Sequence, residues 1–291
     1  MEEYEFDSAE EFLNFLRPSS SRWWDGVANK RNHVFRGHAR ANWKLLPHGW
    51  RPLGPANKLT PLVQAFEVFF GPGIRDDSGG YREGAQLSLW RLALAEAAFH
   101  FSSIGRQTGL PTHWHTQGSM FEHHFLSEFS VPTVPMELLS LAQHHGIPTQ
   151  LLDWSEDPLT AAYFALGEPS DEDLCVWALR NHRTVYSGEP RLTLSSVSTL
   201  GNENIRAQSG MFLSYEQGPY LDLIFKGGWP PFEEHDELPE NLVKIVLEGS
   251  ERELLRDLLL REGRSAAHLM PSWEASARTA MQSWPRLAGD D

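Results

Sequence analysis

The chain has 291 residues, 41% of them apolar, which suits one large domain or two small ones with a real core. Its 25 Lys and Arg stand against 39 Asp and Glu, and the net charge of −14 excludes strong nonspecific nucleic-acid binding while permitting a local basic site. The lone Cys175 excludes an internal disulfide and a Cys-based zinc site, no apolar run is long enough to span a membrane, and the acidic start MEEYEFDSAEEF is unlike a secretory signal, so a cytoplasmic location is expected.

In chain order, residues 7–17 predict a first helix, capped by Ser8 and carrying Phe12, Phe15 and Leu16 on one face. HVFRG (33–37) predicts a strand, 50–61 a loop and 62–70 a short helix. After the turn-rich segment 71–84, residues 86–104 carry Leu87, Trp90, Leu94, Ala97 and Phe101 at helical spacing up to a stop at Gly105. A further helix is expected over 119–129.

LAQHHGIPTQLLDWSEDPLTAAYFAL (141–166) is the most informative stretch. A helix over 135–145 ends at Gly146, TQLLDW enters a strand, and Asp157 caps a helix that has Pro158 at its first position. That last helix is apolar nearly all round and is therefore buried on most sides. The polar residues gather at the turns, where Asp153 either accepts backbone N–H bonds and orders 154–157 or lines a pocket with Ser155 and a histidine. Spacing leaves both readings open. His145, on the apolar face, is expected to be buried.

Downstream, LCVWAL (174–179) predicts a buried strand, 190–226 further strands, and LVKIVLE (242–248) another. Ser250 and Glu253 suggest a capping box for a helix ending at Gly263, and a last helix is expected over 272–282. The pattern is α+β: a single compact domain with a mixed central sheet flanked by helices.

HHGIPTQLLDWSEDPLTAAYFA resembles the signature of the FRG domain family, named for a Phe/Tyr-Arg-Gly motif that Phe35-Arg36-Gly37 supplies here. Trp43, Leu45 and Pro47 follow that motif in the family's manner. Gln143, His144, Gly146, Pro148, Thr149, Leu151 to Trp154, Pro158, Ala161 and Phe164-Ala165 match its centre, and Arg206, Gln208, Gly210 and Phe212 resemble a later run. The resemblance implies an N-terminal helical extension over 1–32, the domain over 33–282 and an acidic tail over 283–291. Departures are Gln150 where the family commonly has Arg, His38 where it often has Gln, and Ser155 where it commonly has Thr.

The order of these motifs is similar to that of ADP-ribosyltransferases, which open on an aromatic-Arg-Gly strand and pack an Ala-x-x-Phe-Ala helix behind a nicotinamide pocket. NAD is then the expected substrate, with no tightly bound cofactor and no metal. Arg36 would fork onto its phosphates, and Phe35, Gly37, Thr149, Trp154 and Ser155 would line the pocket. Arg36, His144, Asp153 and Gln208 would be the working residues, although Gln208 stands where such enzymes carry a glutamate and cannot act as a base. A protein or nucleic acid could be the acceptor, in a bacterial stress or antiphage system. The alternative is a non-catalytic module that senses a small nucleotide with the same residues. The paired histidines 113/115, 123/124 and 144/145 lack metal-site spacing. No GxSxG elbow or phosphate loop occurs, and Cys175 reads as core.

Overall fold

The structure, a computed structural model, describes residues 1–27, 30–52, 54, 57–111, 132–167, 170–181, 185–186, 191–197, 203–216, 229–282 and 284. Its strands are β1 (Glu2–Phe6), β2 (Trp24–Asp25), β3 (Lys30–Arg31), β4 (His33–His38), β5 (Leu152–Ser155), β6 (Leu174–Arg180), β7 (Val185–Tyr186), β8 (Leu192–Ser195), β9 (Gly210–Tyr215) and β10 (Leu242–Leu247). Eight of them form one sheet in the order β1-β10-β6-β4-β5-β9-β8-β7, while β2 and β3 make a separate ribbon. β1 runs parallel to β10 and every other pairing in the large sheet is antiparallel, so the sheet is mixed, as the α+β pattern implies.

The helices are α1 (Ala9–Leu16), α2 (Thr60–Phe70), α3 (Ala85–Gln107), α4 (Met136–His144), α5 (Pro158–Leu166), α6 (Glu203–Gln208), α7 (Arg252–Arg261), α8 (Ala266–Leu269) and α9 (Trp273–Gln282). β6 is buried on both faces along nearly its whole length, which explains an unbroken apolar run where a one-sided strand would alternate. On one side of the sheet, Phe35, Val176, Ala178 and Ile245 pack against α1, α5 and α7 through Phe12, Leu16, Ala162, Ala165, Leu255 and Leu259. On the other, Val34, Trp177, Leu179 and Leu213 join Trp50, Trp90, Trp229 and Phe232. Residues of α2, α3 and α4 gather around Leu151 and Phe212 in a third cluster.

α5 sits unusually close to the sheet. A Cβ on Gly37 would lie 2.0 Å from the Ala161 carbonyl oxygen and 2.5 Å from the Ala165 nitrogen, so helix backbone rests directly on strand backbone there. Asp157 caps this helix as expected, accepting from the Leu159 and Thr160 amides at 3.3 Å each.

Several local expectations are corrected. α3 runs through Gly105 and closes at Gly109, whose φ of 83° supplies the left-handed stop. The capping box at Ser250 and Glu253 does not form. Gly249–Glu251 is a 3₁₀ turn, α7 starts at Arg252, and the Ser250 hydroxyl turns to Glu248. β1 is a strand where only a helical lead was expected, and α6 interrupts the strands of 190–226. His145 is exposed rather than buried, its ring lying 5.8 Å from that of Phe101. The helix expected over 119–129 and the histidines at 113, 115, 123 and 124 lie outside the described residues. Among the described residues no helix is long and apolar enough to cross a membrane.

Candidate functional site

β4 and β5 pair through Phe35 and Ser155 alone. To either side the strands part, and arginine side chains replace the ladder. Arg31 Nη1 donates to the Glu156 carbonyl, and Arg36 Nη1 donates to the Asp153 carbonyl at 2.7 Å. On the Arg36 side the seam opens into a cleft of about 350 Å³ between β4, β5, α4, α5 and the start of β9.

Arg36 is fixed at three points. Besides the Asp153 carbonyl, its Nε donates to His38 Nε2 at 3.0 Å, and its Nη1 stands 3.8 Å from Asp153 Oδ2. Accepting at Nε2 leaves the His38 proton on Nδ1. Burial, reinforced by the positive charge of Arg36, pushes the His38 pKa down to about 3, so this imidazole stays neutral. Arg36 thereby carries structure as well as charge, and an unchanged melting temperature on its removal is not expected, since the Asp153 carbonyl would lose its donor.

Asp153 presents 58% of its side chain to the cleft. The walls nonetheless surround the carboxyl, and this desolvation raises its pKa against the opposing pull of Arg36, of Gln143 and of nearby His144. Gln143 Nε2 donates to Asp153 Oδ1 at 2.6 Å. The orientation of that amide is set one step back. The buried Thr149 hydroxyl accepts from the Leu151 amide at 3.2 Å, which turns its own proton toward Gln143 Oε1. Thr149, Gln143 and Asp153 therefore form a relay that holds the carboxylate in one place.

The remaining expected residues divide. His144 lies at the end of α4 on the cleft wall, with a pKa lowered first by burial and then by the charge of His145. Trp154 lines the cleft although it is almost wholly buried, and Phe35 lies beneath it in the core. Ser155 lines the cleft too, but its hydroxyl donates to the Gln208 carbonyl at 2.6 Å and accepts from the Asp157 amide at 3.0 Å. The turn-ordering role considered for Asp153 thus belongs to Ser155. Gln208 reaches the cleft with its donor already committed to the Leu269 carbonyl at 2.9 Å, tying α6 to α8. Ser209, next in the chain, is held at φ 48°, and its carbonyl receives the Glu156 amide.

Two residues singled out in the sequence fall outside the lining. Thr149 does not line the cleft and acts through Gln143 instead. Gln150, where the family pattern has an arginine, is likewise outside the lining, so that departure removes no donor from the site. Conversely, Gln143, Ser140, Phe164 and Met270 do line it. Gln143 was legible as a signature residue, but its role needed the ten-residue step in sequence to Asp153 to be folded across α4 and β5.

Chemically the cleft offers one carboxylate, a guanidinium and the His144 imidazole against aromatic walls. Among the described lining residues Asp153 is the only carboxylate, and no group of three His, Cys, Asp or Glu converges as a metal site would require among the described residues. Cys175 is buried, which pushes its thiol up to about 12 and leaves it unreactive.

The family model of the FRG domain matches residues 31–174. That span contains Arg36, Gln143, His144, Asp153 and α5, and it ends before α6 and β9 contribute Gln208 and Gly210 to the cleft. No curated protein matches the chain, and no solved structure does.

Proposed function

In this chain, which belongs to the FRG domain family, we propose that the seam cleft is an active site that cleaves the nicotinamide–ribose bond of NAD, with Asp153 as the working carboxylate. The observation that carries this reading is the convergence of Asp153, Arg36 and Gln143 at the point where the sheet parts. The linear reading lacked a glutamate at Gln208, and Asp153 supplies a carboxylate in its stead.

The C1′–N bond breaks with its electron pair leaving on nicotinamide. The oxocarbenium character left on the ribose is met by the Asp153 carboxylate, which Arg36 and Gln143 orient. Water or an acceptor hydroxyl or amine then attacks C1′, and its proton passes to Asp153 or to solvent. Trp154, Phe164 and His144 line the walls on which a flat leaving group can lie.

A second reading, a sensing module that binds the nucleotide without turnover, is favoured by one observation. Both Asp153 oxygens already have partners, one on Gln143 and one beside Arg36. The two readings part on turnover. Purified protein incubated with NAD, with and without a bacterial lysate, is expected to release nicotinamide. Asp153→Asn is expected to lower that rate by about 100-fold or more while still binding NAD. Absence of release in every condition leaves the sensing module as the reading of the site.

A further inference from the structure

Past Arg36 the cleft continues into a second basin of about 660 Å³, which shares only Arg36, Gly37 and Phe164 with the first. In a chain with 39 acidic against 25 basic side chains, this basin is lined by Arg36, Arg40, Lys44 and Arg51 with His38 at its base, and by no carboxylate among the described residues. Its acidic neighbours lie outside the wall. Glu172 is 3.3 Å from Arg40, and Glu233 and Glu234 are 3.7 and 4.0 Å from Lys44. The cationic ends are solvated, so these contacts are weak and exchangeable. Arg51 has no carboxylate within ion-pair distance among the described residues.

The arginines are nevertheless held in place. The guanidinium carbons of Arg40 and Arg51 lie 5.8 and 6.0 Å from the centre of the Trp43 ring, which is 42% exposed at the rim. An aromatic face positions a cation without neutralising it. The rim backbone is fixed as well, since the Ala41 amide donates to the Asp173 carbonyl at 2.7 Å and the Leu45 amide to Glu233 at 2.9 Å. The charge of Arg51 reaches inward, adding to the effect of burial on both Arg36 and His38. Concave, pre-arranged positive charge whose carboxylate partners stand outside the wall is, on an acidic protein, the property of an anion site.

We propose that this basin binds the diphosphate group of a nucleotide, with Arg51, Arg40 and Lys44 as its donors. The assignment rests on reading the adjoining cleft as a nucleotide site, and it moves the phosphate anchor away from Arg36. Arg36 is committed to Asp153 and His38, whereas the exposed guanidiniums of Arg40 and Arg51 can fork onto phosphate oxygens. A group of two adjoining phosphates fits a basin with cations on both flanks of Trp43 better than a single one.

The test is calorimetric titration of the full chain with inorganic pyrophosphate, inorganic phosphate and ADP, for the natural protein, Arg51→Glu and Asp153→Asn. The natural protein should bind pyrophosphate and ADP at least tenfold more tightly than phosphate, with affinity falling as salt rises. Arg51→Glu, at an exposed position, should lose at least tenfold with its melting temperature unchanged, and Asp153→Asn should retain pyrophosphate binding. Pyrophosphate bound no better than phosphate, or bound equally by Arg51→Glu, overturns the assignment. Pyrophosphate binding through Arg51 without nicotinamide release leaves the basin standing and removes the cleavage reading. Release by a protein that does not bind pyrophosphate does the reverse.

Discussion

Gly37→Ala is expected to destabilise the protein by about 3 kcal/mol or more, or to prevent folding outright. The added methyl group would meet the Ala161 carbonyl oxygen at 2.0 Å and the Ala165 nitrogen at 2.5 Å, and both are backbone atoms of a buried helix. A side chain could rotate away, but here either α5 must lift or β4 must bend. Lifting α5 would break its contacts with Phe35, Val176 and Ala178 and would carry Ala161 and Phe164 out of the cleft wall. Urea or thermal unfolding of the soluble variant measures the loss. A melting temperature within a degree or two of the natural protein would mean that α5 does not rest on Gly37. The three motif residues thus have separate duties: Phe35 fills the core, Arg36 spans the seam, and Gly37 lets the helix approach.

Arg252→Ala should cost about 3–5 kcal/mol, in the range seen when a buried charge or its partners are stripped. Arg252 is 3% exposed and serves backbone carbonyls alone. Its Nε and Nη2 donate to Glu172 at 3.1 and 2.8 Å, its Nη1 to Leu166 at 2.6 Å and to Ala165 at 3.4 Å, and its Nη2 also to Ala39. One guanidinium thereby satisfies the last carbonyls of α5 and joins them to the rim of the basic basin and to the entry of β6. Arg252→Lys is expected to recover only a minor part of the stability, because one ammonium cannot reach donors spread over that fork. Thermal unfolding of the two variants beside the natural chain is the check. Near-normal stability of Arg252→Ala would make this network incidental.

Much of the frame was legible because its signals were local. Asp157-Pro158 announces a helix start, the run LCVWAL a doubly buried strand, and Gly146 a helix stop, and each depends only on neighbours in sequence. β1 was illegible for the opposite reason. Glu2–Phe6 carries little apolar pattern of its own and becomes a strand by pairing with β10, more than two hundred residues away. α7 shows the limit of a local motif: Ser250 and Glu253 have the spacing of a capping box, yet Gly249–Glu251, with the Gly249 amide anchored on Asp173, forms a 3₁₀ turn and the helix begins at Arg252.

The site divides in the same way. Arg36, His144, Asp153 and Trp154 could be nominated from a motif, but their duties depend on who faces whom across the seam. Thr149 and Ser155 were both expected to line the pocket; Thr149 is a positioning residue acting through Gln143, and the Ser155 hydroxyl holds a turn. The basic basin drew no notice in sequence because Arg36 on β4 and Arg40, Lys44 and Arg51 after it are scattered singly through an acidic chain. Folding brings them to one wall and leaves their acidic neighbours outside.

The pH dependence of nicotinamide release tests the central claim most directly. If the ionised Asp153 carboxylate does the work, the rate must fall as acid protonates it. Burial raises its pKa, so the midpoint of that fall should lie above the ~3.9 of an ordinary aspartate. Asp153→Asn should show no such limb at its residual rate. A rate that holds flat below pH 4, or an unchanged acid limb in Asp153→Asn, would contradict the assignment of Asp153 as the working carboxylate.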